Sequence, residues 1–221
     1  MKHNEIKKFV YITVGLTTLF WVIIAQLISG VPFFSYESLR ALNVSTAIVA
    51  VIWAGYFSQA WKWPYVRKLI FYRPNLNGTW IGEFKSDWKD AHGQGVPPGR
   101  FVLVVRQSFF SISIRAYSEK QKTVSYVESL VLDDGRGTKL LAYLYGEKRT
   151  AAIEHSPRQG AAELDLIETG SHQILEGEFW TLTRTTGFVR VKQAAPDLHV
   201  ESFDQAVDLW RDQERWASVQ C

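Results

Sequence analysis

The sequence predicts an N-terminal two-helix transmembrane hairpin, then an all-β, up-and-down barrel of about eight strands, then a C-terminal amphipathic helix. Three observations carry this prediction. Two long uncharged runs lie within the first 61 residues. Beyond Pro74 the chain breaks into short segments rich in β-branched and aromatic residues, separated by Gly, Pro and Asp clusters. After Pro196, apolar residues recur at helical spacing. The implied boundaries are 1–73 for the anchor, 74–196 for the β domain and 197–221 for the terminal helix and tail.

The first run, Phe9 to Ile28, is 20 residues long and the second, Ala41 to Trp61, is 21. Each suffices for a helix across a hydrocarbon core of about 30 Å, giving spans at about 9–28 and 41–61. Lys2, Lys7 and Lys8 make a basic start such as a signal peptide has, but no small-x-small cleavage site follows, which favours an uncleaved hairpin. Lys62, Arg67, Lys68 and Arg73 follow the second span, and Arg40 is the lone cation between the spans. The positive-inside bias places both ends and the β domain in the cytoplasm, with Ser29 to Arg40 as an outer loop. Asn43, Ser45, Thr46, Gly55, Ser58 and Gln59 suit helix packing in a membrane, within one hairpin or between copies.

Candidate strands fall at 80–85, 101–107, 109–117, 123–132, 138–145, 161–168, 173–184 and 187–193. Tight connections such as Asp133-Asp134-Gly135-Arg136-Gly137 and Thr169-Gly170-Ser171 join them. An even meander of this size closes into a barrel that holds one small ligand; a flattened two-sheet sandwich is the alternative. Val200 to Ala217 then places Phe203, Val207, Trp210 and Trp216 on one helical face, expected to pack on the barrel near its closed end.

In an up-and-down order each connection belongs to one end of the barrel. The long loops Ser86 to Arg100 and Gly146 to Gly160 fall with the turns around Lys120 and Thr185, and long loops collect where function is. That end is the expected mouth. Alternation assigns three inward faces: Leu141, Tyr143 and Tyr145; Ser125, Val127 and Ser129; and Leu175, Gly177, Phe179, Thr181 and Thr183. The candidate ligand residues are Arg115, Ser125, Tyr143, Tyr145, Thr181, Arg184 and Thr186. Tyrosines stack on or hydrogen-bond to a base, hydroxyls read polar edges, and guanidinium groups hold phosphates. Trp88, Arg100, Arg149, His155 and Arg158 fall toward the same end, and Gln107 falls inside at the other.

Charge narrows the function. Residues 1–75 carry eight Lys/Arg against two Asp/Glu, and residues 76–221 carry 17 against 20. A slightly acidic soluble half lacks the basic face that a DNA or RNA polymer requires, while a small anion held by a few arginines remains compatible. Cys221 is the single cysteine and the five histidines are scattered, so neither a disulfide nor a metal site is predicted. No Gly-x-Ser-x-Gly, Walker-type loop or His-Glu-x-x-His occurs, and the chain is read as a non-enzyme without cofactor.

Leu76-Asn77-Gly78-Thr79-Trp80 opens the β domain. Asn-Gly serves as a turn in the plain reading; Gly-x-Trp before a first strand also resembles the start of lipocalin-type barrels, where the indole plugs the closed end. Later come Leu141-x-Tyr143-x-Tyr145, His155 before Gly160, and Leu175-x-Gly177-x-Phe179-Trp180-Thr181-x-x-Arg184-x-x-Gly187. In this order behind a membrane hairpin, the motifs resemble the two-transmembrane, β-strand-rich effectors of bacterial CBASS anti-phage systems. That resemblance implies a barrel that binds a cyclic di- or trinucleotide made by a partner nucleotidyltransferase on phage infection. Self-association through the spans and disruption of the inner membrane would follow. The alternative is a membrane-tethered lipocalin-like carrier or sensor of an apolar molecule, and a third reading is a structural anchor that contacts another protein.

Overall fold

The computed structural model describes all residues except 1–2, 29, 31, 33–34, 90–91, 96, 120, 134, 148–158, 170–171, 197 and 211–221. It divides into two compact units, Met1–Pro74 and Asn75–Cys221.

In the first unit, α1 (His3–Val22) runs on as a π-helical stretch, Ile23–Ile28, and α2 covers Tyr36–Ser58. Both helices are long and apolar enough to cross a membrane. The apolar run at Ala41 does not mark where α2 begins, because Ser35 caps the helix by accepting from the Ser38 N–H. A 3₁₀ turn, Ala60–Lys62, and a short α3, Pro64–Leu69, complete the unit. The helices are tied by indoles: Trp21 Nε1 donates to the Ser38 carbonyl and Trp53 Nε1 to Thr13 Oγ1, both at 3.0 Å. Ser45, expected to suit helix packing, is fully buried. Ser45, Thr46 and Ser58 each donate to a carbonyl of their own helix, which satisfies them locally.

The second unit is a closed antiparallel barrel in strict sequence order: β1 (Gly78–Ser86), β2 (Gly99–Gln107), β3 (Ile112–Tyr117), β4 (Lys122–Asp133), β5 (Thr138–Glu147), β6 (Gln159–Thr169), β7 (His172–Thr181) and β8 (Thr186–Ala195). β8 returns to β1. The strands alternate as the sequence predicts, and the interior is one core built on Trp80, Leu103, Leu141, Leu164 and Leu175, all fully buried.

The opening pentapeptide closes one end. Trp80 Nε1 donates to the Leu76 carbonyl (2.9 Å), while the Leu76 N–H donates to Gln107 Oε1 (2.7 Å). Asn77 clamps the same end: its Oδ1 accepts the Gln107 N–H (2.7 Å) and its carbonyl accepts Gln193 Nε2 (2.8 Å). Gly78 sits at φ +112°, and a Cβ there would stand 2.2 Å from the Ala195 carbonyl oxygen. Thr79 Oγ1 donates to the Leu198 carbonyl and accepts the Val200 N–H, which turns the chain after β8 back onto the wall. From there α4 (Phe203–Trp210) sets Phe203, Ala206 and Val207 into an outer cluster with Ile81, Val102, Val104 and Tyr117. The helix thus covers the outer wall; Trp216, expected on the same face, lies outside the described residues.

Candidate functional site

β4 carries one residue too many for its ladder with β5. Ser125 pairs with Tyr145 and Val127 with Leu144, leaving Tyr126 as a bulge. Ser125 therefore shares the inner face with Tyr145 as predicted, but Val127 and Ser129, expected inside with it, turn outward. Glu128 and Leu130 take the inner positions, opposite Tyr143 and Leu141. The Ser125 hydroxyl donates to Glu128 Oε1 and accepts the Ile114 N–H (2.8 Å). A carboxylate thus stands beside a hydroxyl on an otherwise apolar and aromatic wall.

Tyr143 and Tyr145 stand one above the other on β5, ring centroids 5.9 Å apart and planes tilted by 48°. Burial raises the Tyr143 hydroxyl far above its ordinary range, with Tyr145 adding to the effect, and burial alone pushes Tyr145 up to about 12. Both remain neutral donors at any physiological pH.

Three more rings line the same half: Phe84, Phe101 and Phe179, with Phe84 in edge contact with the other two. Three of the mouth rings have a glycine directly opposite on the next strand: Phe84 with Gly99, Tyr145 with Gly160, and Phe179 with Gly187. A Cβ on any of these glycines would come within 2.5 or 2.6 Å of the opposing aromatic side chain. The glycines thus let the rings lie against the wall. Flat aromatic faces of this kind stack on planar heterocycles.

The rim is held by the loop after β1. Asp87 accepts from the Thr186 N–H and hydroxyl, both at 2.7 Å. These bonds hold the Asp87 carboxyl below the usual carboxylate range. Thr181 Oγ1 accepts the Thr185 N–H (3.2 Å) and lies 2.9 Å from Thr183 Oγ1, closing the β7–β8 turn. Arg184, exposed in that turn, has φ +60°, a left-handed conformation uncommon for a residue with a side chain.

The structure therefore brings Ser125, Tyr143, Tyr145 and Thr181 to one wall on the inside of the mouth half. Arg184 stands on the turn at that end, and Thr186 pairs with outward-facing Trp180 while binding Asp87. Arg115 is not brought to them. Ile114 and Ala116 fill the core, so alternation turns Arg115 outward, opposite Val104 and Val124. Gln107 is occupied by the closed-end clamp. Trp88 is exposed on the rim loop, whereas Arg149, His155 and Arg158 lie outside the described residues. Sequence reasoning missed Glu128, because the bulge hides the face change, and missed the ring–glycine pairs, whose register across long loops is not encoded locally.

A barrel plugged at one end and lined with flat rings at the other is a small-ligand binding domain. The comparisons make this specific. A family model described as the Cap15 cyclic dinucleotide receptor domain matches residues 71–193, the barrel almost to its last strand residue, and the chain belongs to that family. A CD-NTase-associated protein 15 from Staphylococcus schleiferi is 21% identical over 192 residues, covering 86% of this chain and 98% of the relative. The likeness to CBASS effectors drawn from the motif order is thereby borne out.

Proposed function

We propose that this chain is a membrane-anchored CBASS effector: the barrel mouth binds a cyclic di- or trinucleotide made by a partner nucleotidyltransferase on phage infection. Binding then drives self-association and disruption of the inner membrane, as abortive infection requires. The observation that carries this reading is the receptor-domain match lying on the barrel whose mouth holds the Tyr143–Tyr145 pair. The rings supply stacking surfaces, Ser125 and Glu128 supply acceptors for the N–H groups of a base, and Arg184 supplies a cation for phosphate. Residues 1–73 act as anchor and 74–196 as receptor, with the helix Phe203–Trp210 packing on the barrel wall. The basic flanks of the two helices support a barrel on the cytoplasmic side of the inner membrane.

The filled closed half supports this reading over an apolar carrier. Trp80, Leu103, Leu141, Leu164 and Leu175 are fully buried and fill that half with side chains where an extended acyl chain would have to run, whereas a compact ring needs only the mouth. The test is thermal unfolding of the full chain in nanodiscs against a panel of cyclic di- and trinucleotides, fatty acids and isoprenoids. A ligand at 100 times its Kd stabilises by about 2.7 kcal/mol. A large upward shift with one cyclic nucleotide is expected; a shift with lipids alone would replace the receptor with the carrier.

A further inference from the structure

The barrel is closed, yet one seam is paired along only part of its length. β3 bonds to β4 through Arg115–Tyr117 and Lys122–Val124, and there the ladder stops. The Ser125 hydroxyl takes the Ile114 N–H in place of a backbone carbonyl. From Val127 to Asp133, β4 continues for seven more residues with β5 as its one strand partner among the described residues. Its other edge presents backbone donors and acceptors with no strand beside them.

Natural sheets protect such edges with lysine, proline or a covering segment. Here the outward positions are Val127, Ser129, Val131 and, at the strand's end, Asp133; the two valines are exposed at 52% and 40%, with the bulged Tyr126 beside them at 56%. Leu144, paired with Val127, extends the patch.

We propose that this edge is a docking surface for a second copy of the chain, through antiparallel β4–β4 pairing about a two-fold axis at Ser129. The sequence of the edge selects that occupant. Val127-x-Ser129-x-Val131 reads the same in both directions, so the axis sets each Val127 against the partner copy's Val131. The one charged residue of this row, Asp133 at its end, falls beyond Val127 of the other copy and not opposite its own counterpart, so self-pairing brings no like charges together. On the inner row, Glu128 falls opposite Leu130 of the other copy, not opposite its own counterpart. By contrast, the outward rows of β6 and β7 carry Glu163, Asp165, Glu176 and Glu178, which would repel themselves. The two-fold arrangement is closed, as most soluble oligomer interfaces are. The proposal names a surface for the self-association in the reading above and rests on that reading for its purpose alone.

The test uses the full chain in membranes, with Cys221→Ser removing the native thiol. Ser129→Cys, and separately the Val127→Cys/Val131→Cys pair, are oxidised with copper phenanthroline, with and without a cyclic dinucleotide. Covalent dimer at least tenfold above an outward control, Glu163→Cys, is expected in one or both arms. Adding Val127→Lys to the Ser129→Cys chain should abolish the dimer while saturable nucleotide binding, read by calorimetry on the same protein, persists. Cross-linking no greater than the control for both cysteine designs, or a dimer indifferent to Val127→Lys, overturns the proposal. Adducts with other proteins in place of a dimer overturn the choice of occupant. Absence of nucleotide binding in the wild-type chain overturns the receptor reading and leaves the cross-linking result to judge the edge.

Discussion

Two tyrosines and one arginine separate what a side chain does for the fold from what it does for a ligand. Tyr143 is part of the core, so Tyr143→Ala costs about 3 kcal/mol or more and its lost binding would be uninterpretable. Tyr143→Phe and Tyr145→Phe keep the rings and remove only the hydroxyls. They are expected to fold with Tm close to wild type and to lose about tenfold in nucleotide affinity per donor, roughly 1.4 kcal/mol by calorimetry. Arg184 makes the opposite case. Its left-handed backbone costs about 1 kcal/mol that glycine would not incur. Arg184→Gly is therefore expected to raise stability by up to about 1 kcal/mol in urea unfolding while weakening nucleotide binding at least tenfold. A variant that gains stability and keeps affinity would remove Arg184 from the site.

At the scale of elements, a contact between Asp87 and Thr186 ties the loop after β1 to the start of β8 at the mouth. Asp87 is held to Thr186 by two bonds that lower its pKa, so the contact stabilises above the ordinary carboxylate value and is lost as pH falls through the lowered folded value. The Tm difference between wild type and Asp87→Asn should be present at pH 7 and shrink as the pH falls below the ordinary carboxylate range; a difference that does not shrink with acidification contradicts the latch. The sequence reveals most elements and few of these contacts. Eight strands, their order and the plugging role of Trp80 follow from alternation, turn residues and the Gly-x-Trp start. The bulge at Tyr126 does not, because one extra residue leaves alternation intact on both sides while inverting the face of every residue beyond it, Val127 and Ser129 included. Arg115 is a mouth candidate by its height along the barrel, and height carries no information on the side that Ile114 and Ala116 impose. Asp87 and Thr186 are 99 residues apart, and no local pattern joins them.

For the whole molecule, the division of labour follows from two solvents. The first unit carries helices long and apolar enough for lipid, tied by Trp21 and Trp53; the second carries a barrel with an aliphatic, Trp80-plugged half and an aromatic half, the proposed ligand site. The proposed function requires that binding at the mouth change assembly, and a ligand shifts such an equilibrium only by its differential affinity for the two states. The most direct measurement is calorimetric titration of the full chain, in nanodiscs, with cyclic dinucleotides, for wild type and Tyr145→Ala. Saturable one-to-one binding by the wild-type barrel, weakened about tenfold to a hundredfold by Tyr145→Ala, is the predicted result. Equal affinity in both chains would place the nucleotide elsewhere, and no heat from any cyclic nucleotide in the wild type would contradict the receptor itself.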